Sequence, residues 1–222
     1  FNISNPGVQQ KQGELSLEAG SLPPCLLLSQ DEKSLFVLIG SHFLVIDISN
    51  PNAPIQKYKE DYYLHSNILS MITSSDGKTL YTLTETSLKI YNLSENSPIF
   101  LISIYNQWTG GIALSKDNSI LAVGLVTVDN AMLNLYNVTD PKKPTFIRSA
   151  DLDAQVHSIV FSDDGKTLLT SVSRKVWENL VRFSYRTFDI SDLKSPTQIS
   201  DFVLTEDLKP CTQMWFHQNQ NF

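Results

Sequence analysis

The apolar residues of this chain fall into short blocks separated by polar turns, and no stretch repeats them at helical spacing. Blocks at Leu26 to Leu28, Met71-Ile72, Ile112 to Leu114, Ile159 to Phe161 and Met214 to Phe216 each run into a polar segment. Those segments are Ser29-Gln30-Asp31, Ser74-Ser75-Asp76-Gly77-Lys78, Ser115-Lys116-Asp117 and Ser162-Asp163-Asp164-Gly165-Lys166, with His217-Gln218-Asn219 as a degenerate fifth. Four positions after each Asp stands a leucine: Leu35, Leu80, Leu121 and Leu168. Block, turn and second block, as in Leu80-Tyr81-Thr82-Leu83, predict a β-hairpin whose first strand is buried on both faces.

A second pattern interleaves with the first. Phe43-Leu44-Val45-Ile46-Asp47-Ile48-Ser49-Asn50-Pro51-Asn52-Ala53-Pro54 recurs in outline at Leu88 to Pro98, Leu133 to Pro144 and Tyr185 to Pro196. Its Asp or Asn falls at Asn2, Asp47, Asn92, Asn137 and Asp189, at separations of 45, 45, 45 and 52. Each unit therefore predicts four strands, the third ending at this anchor and the fourth starting after the Pro at 54, 98, 144 or 196, where an outer edge tolerates a missing N–H. The inner strands, near 25–29, 69–74, 111–115, 158–162 and 213–217, are expected to be the most buried, and no helix beyond two turns is expected over 25–205. Four strands in 40–45 residues is the period of a β-propeller blade. The predicted fold is all-β: complete blades at 22–60, 66–104, 109–150 and 155–204, partial blades at 1–17 and 211–222. It reads as a fragment of a larger, seven-bladed ring, completed by the rest of the chain or a neighbouring subunit.

Phe43 to Pro51 resembles the repeat that names the LVIVD family of β-propellers. Ser75-Asp76-Gly77-Lys78-Thr79-Leu80-Tyr81 and Asp163-Asp164-Gly165-Lys166-Thr167-Leu168 are similar to hairpins of the wider WD40- and YVTN-related group, without its Trp-Asp and Gly-His pairs. The resemblance implies a propeller, often within large surface or secreted proteins, and implies no single activity.

Composition narrows the partners. With 222 residues, 41% hydrophobic and 18% charged, the chain can build a sizeable core, and its net charge of −6 gives no electrostatic basis for binding nucleic acid or an anionic membrane. No apolar run approaches the roughly 20 residues of a spanning helix.

The chain has no nucleophile elbow, zinc-protease helix, paired-cysteine or phosphate-loop signature, so neither a cofactor nor a metal is expected. His42, His65, His157 and His217 are isolated in sequence. His65 and His157, with Asp61, Asp151, Asp153, Glu206 and Asp207, lie on connections that would ring a propeller mouth, where solvated charge is the simpler reading than a cation site. Tyr62, Tyr63 and Trp108 fall on connections from a fourth to a first strand and suit either packing between blades or contact with protein or carbohydrate. The fourth unit carries 7 extra residues within Ser173 to Arg182, and Arg174, Trp177, Arg182 and Arg186 make this a candidate contact surface or a long solvated hairpin. Asn2, Asn92 and Asn137 are candidate glycosylation acceptors, although turn chemistry alone accounts for an Asn there. Cys25 and Cys211 occupy equivalent places in different blades, too far apart to bridge.

These readings converge on a non-enzymatic structural or adhesive interaction module of an extracellular or cell-surface protein. A propeller enzyme of lactonase-like or quinone-dependent type, with its site at the channel mouth, and an intracellular scaffold are the alternatives.

Overall fold

The computed structural model describes residues 11–17, 24–40, 42–61, 68–84, 86–93, 98–105, 108–126, 131–177 and 180–203. Every regular element among them is a strand. The first sheet holds β1 (Cys25–Leu28), β2 (Ser34–Ile39), β3 (His42–Asp47) and β4 (Ile55–Asp61). The second holds β5 (Ile68–Thr73), β6 (Thr79–Thr84), β7 (Ser87–Asn92) and β8 (Ile99–Tyr105). The third holds β9 (Trp108–Leu114), β10 (Ile120–Val126), β11 (Ala131–Asn137) and β12 (Thr145–Asp151). The fourth holds β13 (Gln155–Phe161), β14 (Thr167–Trp177), β15 (Leu180–Asp189) and β16 (Thr197–Val203). Each is an antiparallel meander in chain order, and β1, β5, β9 and β13 line up beside one another as the innermost strands.

The first hairpin of each sheet is closed by the same device. Ser29, Ser74, Ser115 and Ser162 donate their hydroxyls to Asp31, Asp76, Asp117 and Asp164 at 2.6–2.7 Å. The same hydroxyls accept the backbone N–H five residues on, at 2.8–2.9 Å, while each Asp accepts the N–H two residues on. The residue after each Asp is left-handed: Glu32, Gly77, Asn118 and Gly165 have φ of 57°, 69°, 60° and 69°. Ser and Asp at this spacing saturate the turn backbone locally, so the hairpin needs little else to form. The third-to-fourth turns are built likewise, with Asp47, Asn137 and Asp189 accepting the N–H of Ser49, Thr139 and Ser191.

Alternation along the middle strands divides the core between sheets. Leu80 and Tyr91 face the first sheet and meet Phe36, Leu38, Phe43 and Val45; their neighbours Tyr81 and Ile90 face the third and meet Leu121, Val123 and Tyr136. Leu133 and Leu135 then pack on Val156, Leu168 and Phe188 of the fourth. The aromatic contact across the first interface is Phe43 on Tyr91, at 5.3 Å between ring centres.

The inner strands are not the most buried, contrary to the sequence expectation. Leu26 and Leu28 are 57% and 46% exposed, whereas Leu80, Leu83, Leu88, Leu121 and Leu133 are fully buried. The second and third strands are hydrogen-bonded on both edges, and those of the second and third sheets are covered on both faces by adjacent sheets; an inner strand turns one edge to the central space. Trp108, expected on a connection, is the first residue of β9 and stands opposite Leu125.

Each outer strand carries an extra residue at its third position. The register shifts place Lys57, Leu101, Ile147 and Ile199 as bulges in β4, β8, β12 and β16. Residues 11–17 form no regular strand, but Leu15 and Leu17 pack on Val37, Leu44 and Ile46, covering the other face of the first sheet. A Cβ on Gly13 would stand 2.2 Å from the Pro51 carbonyl oxygen, so this approach requires glycine.

Candidate functional site at the fourth sheet

The inner strands enclose a cleft of about 810 Å³, walled by residues of β1, β5, β9 and β13. At the end where the first-to-second turns lie, Gln30, Ser75, Lys116 and Asp163 occupy equivalent positions on its rim. Near the other end His157 reaches in from β13. His157 is the extra residue of a bulge between Val156 and Ser158, and the bulge re-aims its ring from the alternation of the strand. The ring nitrogen Nε2 lies 2.6 Å from the Ser173 hydroxyl, and Phe183 stands 6.5 Å away, ring centre to ring centre. Burial holds the His157 pKa below its ordinary value, so at neutral pH the imidazole is uncharged and can accept the Ser173 proton. The pair leaves no signal in the sequence, because its members lie 16 positions apart and only the β13–β14 register joins them.

The insertion of the fourth unit is a continuation of β14 and β15. Aligned on Leu80 and Leu168, Thr84, where β6 ends, corresponds to Val172, yet β14 continues to Trp177 and pairs there with Leu180. The ribbon thus extends five further residues, roughly 16 Å at about 3.3 Å each. Arg174 stands directly opposite Arg182, so both side chains leave the same face. Arg174 Nη2 meets Asp153 Oδ2 at 2.8 Å, and Asp153 is itself held left-handed at φ 49°. Arg182 is exposed and has no ion-pair partner among the described residues.

Arg186 sits differently from its sequence neighbours. Its side chain is 11% exposed, Nε bonds Asp201 Oδ2 at 3.2 Å, and Nη1 donates to the Leu152 carbonyl. It fastens β15 to β16 and to the β12–β13 connection, so its guanidinium is engaged within the fold and is not part of an exposed surface. Tyr62, Tyr63, His65, Asn2, Cys211, Glu206, Asp207 and His217 lie outside the described residues. His42 bonds exposed Asp61, 2.6 Å away, far in sequence from His157. Asp151 ends β12, and among the described residues no three His, Cys, Asp or Glu side chains gather closely enough to hold a metal ion. Cys25 is a free, half-buried thiol lining the cleft, and burial pushes its pKa up. Asn92 and Asn137 end β7 and β11, and Asn137 Oδ1 accepts the N–H of Thr139 at 3.0 Å and its hydroxyl at 2.7 Å.

No family model matches this chain, and no curated protein matches it. Solved structures do. A Bacteroides uniformis protein assigned provisionally as a 6-phosphogluconolactonase aligns with 82% of this chain and 55% of its own, at a TM-score of 0.67 and 15% identity. Its Bacteroides fragilis counterpart aligns over the same shares at 0.63 and 19%. The β-propeller domain of Cps50 (Swd1) from Myceliophteria thermophila aligns over 80% and 57% at 0.56 and 11%. This chain spans about half the length of these structures, and what it shares with them is the fold: an all-β propeller of four-stranded blades.

Proposed function

We propose that this chain is a non-enzymatic protein-interaction module and that the extended β14–β15 ribbon is its contact element. The observation that carries the reading is the ribbon's departure from an otherwise repeated blade, with an exposed arginine pair and Trp177 at its far end. Beyond Ser173 and Ser184 no third strand pairs with the ribbon among the described residues; two strands alone are marginally stable in water, and docking on a partner would stabilise them. A secreted or cell-surface setting, with an adhesive role toward protein or carbohydrate, is the form of this reading that the repeat resemblance favours. The test replaces residues 174–182 by Asn-Gly and compares partner capture by crosslinking in the cells that make the protein. Loss of the crosslinked partner in the trimmed chain supports the reading; equal capture overturns it.

The second reading is a lactone hydrolase, favoured by the His157–Ser173 contact at the cleft and by the assigned activity of two structural neighbours. Hydrolysis of 6-phosphogluconolactone above the spontaneous rate, lost in His157→Gln, supports it. No acceleration disposes of it.

A further inference from the structure

The partner's chemistry can be read from the ribbon, on the premise that the ribbon is the contact element. Arg174 and Arg182 are cross-strand neighbours in register, which brings their Cβ atoms to about 5 Å and sets two like charges side by side. Such a pair weakens a hairpin that no third strand flanks among the described residues. One carboxylate, Asp153, answers one of the two guanidinium groups; Arg182 is left exposed on the same face. The stretch Arg174 to Arg186 contains three of the chain's four arginines, while the chain as a whole carries −6. Arg186 is already bonded to Asp201 and Leu152, so of these three arginines it is Arg174 and Arg182 that face outward.

We propose that this face binds an acidic segment of a partner protein, with Arg182 taking a carboxylate directly and Arg174 sharing one between the partner and Asp153. Guanidinium groups bind carboxylates through two parallel hydrogen bonds, which gives direction as well as charge to the contact. A peptide is favoured over nucleic acid because two arginines supply a local attraction, whereas a long polyanion would meet the net negative field of the rest of the molecule.

The experiment titrates the full chain with a fluorescent oligoglutamate peptide at low salt, with a single-stranded DNA of matched charge and inorganic phosphate as further arms. Saturable peptide binding is expected. Arg182→Glu should weaken it at least about tenfold. Arg148→Glu, the same charge change at an exposed position on β12, should leave it unaltered. Arg182→Gln replaces Arg182→Glu if circular dichroism shows that the charge reversal unfolds the chain. Phosphate should displace the peptide only in large excess. No binding, equal loss in Arg148→Glu, tighter binding of the DNA, or displacement by phosphate at equal concentration each overturns the proposal. Partner capture that depends on the ribbon but ignores Arg182→Glu leaves the contact-element reading standing and removes only the acidic-segment inference.

Discussion

Asn118 clasps Ser75 across two sheets: its Oδ1 accepts the Ser75 backbone N–H at 2.8 Å, and its Nδ2 donates to the Ser75 hydroxyl at 2.7 Å. Both residues belong to first hairpins, so a turn that closes one blade also ties it to the next. Asn118 is left-handed as well, a conformation that Asn tolerates better than most residues. Asn118→Ala should lose the bonds and incur the backbone penalty, about 2 kcal/mol together. Asn118→Gly should lose the bonds alone, about 1 kcal/mol. Urea unfolding midpoints of the two variants separate these contributions, and equal midpoints would contradict the assignment.

Glu32 occupies the position that Gly77 and Gly165 fill in two other turns, at φ 57°. Glu32→Gly should stabilise the chain by up to about 1 kcal/mol, since a left-handed L-residue is strained where glycine is not. Gly165→Ala is the reciprocal test: nothing lies within 4 Å of the added methyl, so its expected loss of about 1–2 kcal/mol reports backbone conformation alone. Thermal unfolding with opposite shifts of the midpoint is the expected result.

How much of this was legible in the sequence differs by level. The Ser-x-Asp turns and the Asp or Asn anchors act within a few residues, and their spacing showed the hairpins and the four-strand unit directly. Contacts such as Asn118 with Ser75, or Arg186 with Leu152, join residues 43 and 34 positions apart and depend on how sheets sit side by side. Nothing local distinguishes Arg186, enclosed in the fold, from Arg182, exposed four residues earlier. The exposure of the inner strands is hidden from the sequence for a related reason. Leu26-Leu27-Leu28 reads as a strand covered on both faces, but coverage is set by neighbouring sheets rather than by the run itself.

Gly111 marks a close approach between β9 and β13. A Cβ there would lie 2.5 Å from Val156 Cγ1 and 2.9 Å from Ile159 Cγ1, and both are stiff, β-branched and buried. Gly111→Ala should cost about 1–3 kcal/mol by overpacking. Faster hydrogen exchange in both β9 and β13 is the expected signature; an effect confined to β9 would place the strain elsewhere.

Stability should fall with acid in two stages. His157 has a pKa lowered by burial, so below its ordinary value of about 6.5 the unfolded chain takes a proton that the folded chain refuses. That component is present above about pH 6.5, is lost as pH falls toward the depressed folded value, and should vanish in His157→Gln. Asp31, Asp76, Asp117 and Asp164 are held below the usual carboxylate range, first by the Ser hydroxyl at the start of each turn and then by a backbone N–H, Asp117 by the Ser119 hydroxyl before that N–H. Their contribution is full above about pH 3.9 and is lost as pH falls through the folded-state values. Urea titrations from pH 8 to 3 should show both stages, and a stability independent of pH below 4 would be incompatible with the turn device.

If the chain passes through a secretory route, Asn92 and Asn137 are the acceptors to examine, with Asp47 and Asp189 as equivalent positions that cannot be glycosylated. Intact mass of protein from its native source, before and after enzymatic deglycosylation, is expected to drop. An unchanged mass would remove the residue-level support for secretion.

The bulges at Lys57, Leu101, Ile147 and Ile199 bear on how such a chain stays dispersed. β4 is guarded by charge, but β8 (Ile-Phe-Leu-Ile-Ser-Ile-Tyr) has none, and by composition alone it is a template for fibril-like stacking. An extra residue at the third position breaks the spacing of outward N–H and C=O groups, so an incoming flat strand finds only a few consecutive partners before its register fails. Because the break recurs in all four outer strands, resistance to stacking is written into backbone geometry. Side chains on this perimeter are thereby free to vary, even to an uncharged and mostly apolar run.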